Sequence, residues 1–291
     1  MGSPARVAAQ SAPPTVVIVA EGTGFPFEDP SFSNFPALRR LRQSSRPFDA
    51  AFANDAAWAK SRETLLGGVR GGKASLVTAL RTRGYVSSSL TGAGASPGGF
   101  DHAVKAGPKE VAARTLDAID AARTQPVFVF AALDLRNVPA SGPPSPVEAP
   151  PLTVPAISLF DRGPLAPVRF PVIPPPREPA DRSALAARRS AAFAVLDREI
   201  DALMKGLDKR GLLSRAVIVL VSTGPAPRPE RAAPSRPDLL FEDWLRGLFL
   251  IRAPGLTQPG IGALTLALTS DLAPTLAALA GTALARGAGI D

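Results

Sequence analysis

The chain has 291 residues, 45% of them hydrophobic, with 33 Lys and Arg against 25 Asp and Glu, one histidine and no cysteine. That length supports one large domain with a substantial core, and the absence of cysteine excludes disulfides, thiolate metal sites and cysteine nucleophiles together. The formal charge of +8 and sequence pI of about 10.7 favour acidic partners such as sulfated or phosphorylated glycans, anionic lipid head groups or nucleic acid. No nucleic-acid-binding motif is present, which leaves an acidic glycan, a lipid head group or a protein as the expected partner. The longest apolar stretches, such as Val16 to Ala20, are far too short for a transmembrane segment, and no charged segment leading into an apolar one precedes them. The chain reads as soluble, either cytoplasmic or exported with its signal absent from this sequence.

Residues 1–13 read as a flexible N-terminus ahead of one α/β domain over 14–291. Val16 to Ala20 is a β-branched run closed by the glycine-rich turn Glu21 to Gly24, the pattern of a buried parallel strand with a loop at its C-terminal end, where α/β sheets place their chemistry. A short helix over Pro36 to Gln43 follows, then an edge strand over Phe48 to Ala53 and a helix near Lys60 to Leu66. Leu76, Val77 and Leu80 mark a further helix, which Gly84 ends before the strand Tyr85 to Leu90. Val111, Thr115, Leu116 and Ile119 recur at helical spacing, and Pro126 to Ala132 is a buried strand. From about 138 to 180 lies a proline-rich irregular insertion: 14 of the 32 prolines fall between Pro139 and Pro179, and each removes an amide donor and disfavours helix in the residue before it.

The clearest helix comes next, N-capped near Asp181 or Ser183, with Phe193, Leu196, Ile200, Leu203 and Leu207 spaced 3, 4, 3, 4 along one face until Gly211 stops it. Ala216 to Val221 is a buried central strand and Gly247 to Arg252 another, and Asp271 opens a last helix that Gly281 closes. The fold class is α/β, a central, mostly parallel sheet flanked by helices.

Several segments carry a family resemblance. Ser190 to Thr223 resembles the long helix, turn and strand that lead into the "SDHG" or "SDNG" metal loop of the sulfatases, a branch of the alkaline phosphatase superfamily. Leu250 to Gly255 resembles their "LIxRxPG", with wording closest to bacterial sulfamidases. Ser270 to Gly281 is similar to "VDLAPTLLALAG", Phe35 to Leu41 to "TPNLDRLA", and Gly99-Phe100-Asp101 to "GFD". The resemblance implies an alkaline phosphatase/sulfatase-like fold; the sequence stops at Asp291 where relatives continue into a small C-terminal subdomain, so that subdomain is either missing or lies beyond this sequence.

The same resemblance implies that the reactive positions have decayed. A sulfatase makes its formylglycine nucleophile from the first residue of CxPSR. Here that motif falls on Trp58-Ala59-Lys60-Ser61-Arg62, so Trp58 stands at the degenerate nucleophile position and only Ser61 and Arg62 survive. The family's divalent cation is held by an acidic pair after the first strand and by Asp with His or Asn after the late strand; these places read Glu21-Gly22-Thr23 and Ser222-Thr223-Gly224. Glu21 is the one weak metal candidate, placed much as the single Glu of the related phosphoethanolamine and lipoteichoic acid synthases. Gly22, Thr23, Thr223 and Gly224 are degenerate ligand positions.

Where relatives read "HDPH" this chain has Leu133-Asp134-Leu135-Arg136. Arg62 and Arg136 are therefore the candidates for contact with an anion. His102, the only histidine, reads as a polar loop residue, because a single imidazole without partners makes neither a triad nor a metal site. Gly67 to Lys73 matches the GxxxxGK core of a P-loop, yet Ala74 stands at the position of the magnesium-binding hydroxyl and a helix precedes it; a glycine turn is the plainer reading. Asp197 and Glu199 point in different directions from the long helix and read as solvated surface.

The expectation is a degenerate, non-catalytic sulfatase-like protein, a pseudoenzyme acting as an anionic-ligand-binding or protein-interaction module, with no catalytic residue and no cofactor. The alternative is an active metal-dependent sulfuric or phosphoric ester hydrolase with a rearranged site, which would need Ca²⁺ or Mg²⁺.

Overall fold

The computed structural model describes residues 12–26, 29–54, 58–68, 75–92, 96–136, 138, 152–156, 165–170, 179–223, 245–255, 258–262 and 266–284. In chain order these form β1 (Thr15–Glu21), α1 (Pro36–Gln43), β2 (Arg46–Pro47), β3 (Ala51–Phe52), α2 (Trp58–Gly67), α3 (Ser75–Arg81), β4 (Val86–Thr91), β5 (His102–Lys105) and α4 (Val111–Ala122). Then come β6 (Val127–Asp134), β7 (Leu152–Ala156), β8 (Leu165–Phe170), α5 (Pro179–Lys209), β9 (Val217–Thr223), β10 (Phe249–Arg252), β11 (Ala267–Leu268), a 3₁₀ turn at Thr269–Asp271 and α6 (Leu272–Leu279).

Seven strands make the main sheet in the order β2-β10-β9-β1-β6-β4-β5. The five from β9 to β5 run parallel, while β10 and β2 are antiparallel at one edge. The continuous apolar runs of β1, β6 and β9 follow from this arrangement, because central parallel strands are covered on both faces. Side chains alternate between those faces. Val16, Ile18 and Ala20 pack with α1, α4 and α5, and Val17 and Val19 pack with α2, α3 and α6. Among the described residues, no helix is long and apolar enough to cross a membrane.

The 3, 4, 3, 4 stripe of α5 is buried at all five positions. The helix begins at Pro179, two to four residues before the expected cap, as a proline in the first turn permits. Phe193 on α5 meets Phe32 and Phe35 at ring-centroid distances of 5.8 and 5.6 Å, which seats the segment leading into α1.

Four expectations need correction. The edge strand expected over Phe48 to Ala53 is two short strands, Arg46–Pro47 on β10 and Ala51–Phe52 on β11, because the turn at Asp49 and Ala50 carries the chain from one sheet to the other. Most of the proline-rich insertion lies outside the described residues; within it, residues 152–156 and 165–170 form an antiparallel pair, β7 with β8, rather than irregular chain. Pro155 falls where its register shifts, which is where a residue without an amide proton is tolerated. His102 lies on the exposed edge strand β5 and not in a loop.

Asp197 and Glu199 are caps rather than solvated surface. Helices α1 and α4 have no side-chain cap of their own. Asp197 Oδ1 accepts the Ala37 and Leu38 amides at 2.8 Å each, and Glu199 Oε2 accepts the Ala112 amide at 2.7 Å. Burial holds the Glu199 carboxyl above its usual range, against the opposing effect of that amide. Asp197→Ala is expected to lower stability by about 1 kcal/mol, the worth of an N-cap, as read by urea denaturation. Asp197→Asn, which still accepts a hydrogen bond, should recover part of the loss.

Candidate functional site

The parallel registers place Glu21 beside Asp134 on one side and Thr223 on the other. Glu21 continues the series Val17, Val19; Asp134 continues Phe128, Phe130, Ala132; Thr223 continues Val217, Val219, Val221. With a side-chain period of two, all three point to the face covered by α2. The C-terminal ends of three central strands therefore carry one polar row, Asp134-Glu21-Thr223, where open α/β sheets bind ligands.

Helix α2 lies over this row. Leu65 and Leu66 are buried, and Arg62, one turn earlier, shares their face. Its guanidinium grips Glu21 through both carboxylate oxygens, Nε to Oε1 at 2.5 Å and Nη2 to Oε2 at 2.7 Å. The Glu21 side chain is 0% exposed and that of Arg62 is 9%. Ser61, beside Arg62, is also fully buried, and Trp58 is the first residue of α2.

A second fork pair stands next to the first. Arg136 binds Asp134 with Nε to Oδ1 and Nη2 to Oδ2 both at 2.6 Å. These hydrogen bonds, helped by the charges of Arg136 and Arg62 and opposed by burial, hold the Asp134 carboxyl below its usual range. A carboxyl that titrates lower in the fold than in the unfolded chain adds stability above about pH 4, and that stability is lost as the pH falls through the folded value. Arg136 is raised, chiefly by the same hydrogen bonds to Asp134.

Gly22 makes the close approach possible. It has φ +87°, and a Cβ there would lie 2.8 Å from Arg136 Cγ, so a side chain would meet both backbone strain and the arginine stem. The turn after β1 is tied by the Gly22 amide to Thr223 O at 3.4 Å and by the Leu135 amide to Glu21 O at 3.1 Å. Arg189 of α5 donates to Phe25 O, and the Arg246 guanidinium sits 4.4 Å from the Phe25 ring centroid. Thr23 is buried, and the Thr223 hydroxyl is buried without a hydrogen-bond partner among the described residues. Gly224 and the P-loop-like residues 69–74 lie outside the described residues.

Sequence reasoning singled out Glu21, Arg62 and Arg136, and the structure brings all three together. It missed Asp134 as a member of the row. The signal was present: Asp134 ends the buried run Val127 to Leu133 as Glu21 ends Thr15 to Ala20.

A hard divalent cation needs several free oxygen donors. Both carboxylates of the row are already taken up by guanidinium forks, and two acids against two bases leave it no net negative charge. Among the described residues, no three His, Cys, Asp or Glu side chains gather as a metal site. Among the described residues, the donor set does not fit the divalent cation that the sulfatase resemblance implies.

No protein-family profile matches the chain, and no curated protein matches it. Solved structures do. A 2-O GAG sulfatase superposes with TM-score 0.69 at 15% identity, over 97% of this chain and 73% of that one. A protein in the alkaline phosphatase superfamily from Vibrio parahaemolyticus gives 0.65 at 14%, over 97% and 69%. The lipoteichoic acid synthase LtaP from Listeria monocytogenes gives 0.65 at 14%, over 97% and 75%. The chain thus has the α/β fold of the sulfatases and their neighbours in the alkaline phosphatase superfamily.

Proposed function

We propose that this protein uses the sulfatase fold to bind an anionic ligand without turning it over. The observation that supports this most is the buried Arg62–Glu21 fork. A metal-dependent hydrolase leaves its carboxylates open to a cation, whereas here a guanidinium already neutralises Glu21 through both oxygens. Trp58 at the nucleophile position adds to the case, since an indole cannot attack sulfur or phosphorus. The ligand class rests on the excess of positive charge and on the likeness to a 2-O GAG sulfatase.

The test is a titration of the protein with Ca²⁺, Mg²⁺, Mn²⁺ and Zn²⁺, each with and without sulfate, read by calorimetry and thermal shift. Aryl sulfate and aryl phosphate assays run alongside in the same metals. The expected outcome is no saturable, sulfate-coupled rise in Tm and no turnover above background. A specific site would raise Tm by mass action, and such binding by one metal together with ester hydrolysis would overturn the proposal.

A further inference from the structure

A pocket of about 450 Å³ opens beside the polar row, between the ends of β4, β5 and β6 and helix α5. Lys105, the last residue of β5, and Lys109, in the turn before α4, line it together with Gly92, Glu110, Asp134 and Val195. Both lysines are exposed and neither has a hydrogen bond or ion pair among the described residues, whereas both acids of the lining are engaged. Asp134 is held by Arg136, and Glu110 Oε2 accepts the Gly107 amide at 2.8 Å.

That bond also shapes the pocket. Together with the Glu110 amide donating to Gly107 O at 3.0 Å, it closes the turn 107–110 and fixes the backbone from which Lys109 projects. Gly92 lets the end of β4 approach the backbone after β5 closely, since a Cβ there would lie 3.3 Å from Ala106 O. Asp134 is offset by Arg136, whereas the Glu110 carboxylate keeps its charge because its partner is a neutral amide, so the two ammonium groups leave the lining one net positive charge in an open hollow, with apolar surface from Val195 and Val138. Lysine ammoniums act as point charges for oxyanions, and the volume lies within the range of small-molecule sites.

We propose that this pocket is the binding site of a sulfate- or phosphate-bearing group of about monosaccharide size, its oxyanion held by Lys105 and Lys109 and its body against the valines. The inference rests on the anionic-ligand reading above and gives that ligand a place and a size.

The test is calorimetry on the full chain in low-salt buffer with glucose 6-sulfate, glucose 6-phosphate, inorganic sulfate, inorganic phosphate and glucose. At least one of the two charged sugars is expected to bind, more tightly than its free ion and than glucose, and comparison of the two identifies the preferred oxyanion. The double variant Lys105→Gln/Lys109→Gln should weaken binding roughly tenfold or more, the worth of charge-assisted hydrogen bonds. Lys209→Gln, at the far end of α5, should leave it unchanged.

The pocket assignment is overturned by absence of saturable binding, by equal binding of the free ion, or by equal affinity in the double variant. The ester assays keep the two readings apart. Metal-dependent turnover together with lysine-dependent binding would sink the non-catalytic reading and leave the pocket standing, while no turnover and no binding would do the reverse.

Discussion

Arg62→Met is expected to lower the stability of the fold by about 3–5 kcal/mol, the usual effect of leaving a buried charge without its partner. In a domain of this size that is a fall in Tm of roughly 6–20 °C. The carboxylate left behind is that of Glu21, fully buried at the end of a central strand and tied to Arg62 through both oxygens. Glu21→Gln should be comparably damaging, because the guanidinium would then lack its counter-charge. The double variant Glu21→Leu/Arg62→Met should recover most of the loss, since replacing a buried ion pair by apolar groups of similar volume is often neutral. Thermal and urea melts of the four proteins form a double-mutant cycle, with a coupling energy expected above about 2 kcal/mol. Single variants that each cost less than about 1 kcal/mol would mean that the pair is not locked, and that the row is open to a cation after all. Arg136→Met should cost less than Arg62→Met, because the Arg136 side chain is 29% exposed and water partly replaces it around Asp134.

The parts of this architecture that local sequence determines were legible. β1, β6 and β9 show as unbroken apolar runs because each is buried on both faces, and α5 shows because one face carries five buried residues at helical spacing. What was not legible depends on partners far away in sequence. Asp197 is an unremarkable charge on a helix until α1, some 160 residues earlier, is brought to it without a cap of its own. The break between β2 and β3 depends on which of two later strands each piece pairs with, and the alternation of Phe48 to Ala53 carries no trace of that choice. The candidate site shows the same division. Resemblance pointed to Glu21, Arg62 and Arg136 one at a time, but the pairing of each arginine with a carboxylate follows from strand register and from the seating of α2. That pairing engages both carboxylates of the row with guanidinium groups, which is the physical basis of the non-catalytic reading proposed above.

Phe130→Ala is expected to cost about 3–5 kcal/mol, as large-to-small changes of buried aromatic residues do, and to disturb the polar row while leaving all its members present. Phe130 is fully buried in β6 on the α2 face, four residues before Asp134 in the same strand and on the same side of the pleat. Its ring lies 6.1 Å from that of Phe100, which also stacks on Phe128 at 5.9 Å, so the three rings join β6 to the segment that enters β5. That segment is anchored independently, for Asp101 Oδ2 accepts the Ser87 amide at 2.9 Å and hydroxyl at 2.7 Å and Oδ1 accepts Arg81 Nη2 at 2.8 Å. Removing the Phe130 ring therefore opens a cavity that neither neighbour can collapse to fill, which places the effect toward the upper end of the range. Phe130→Leu, which keeps most of the volume, should cost less than about 1.5 kcal/mol. Urea denaturation measures the difference between the two variants, and charged-sugar calorimetry on the folded Phe130→Ala protein then reports on the pocket beside Asp134. If this aromatic cluster fixes the segment entering β5 against β6, affinity falls together with stability. Unchanged affinity in a destabilised Phe130→Ala protein would show that the turn bearing Lys109 keeps its shape through Glu110 and Gly107 alone.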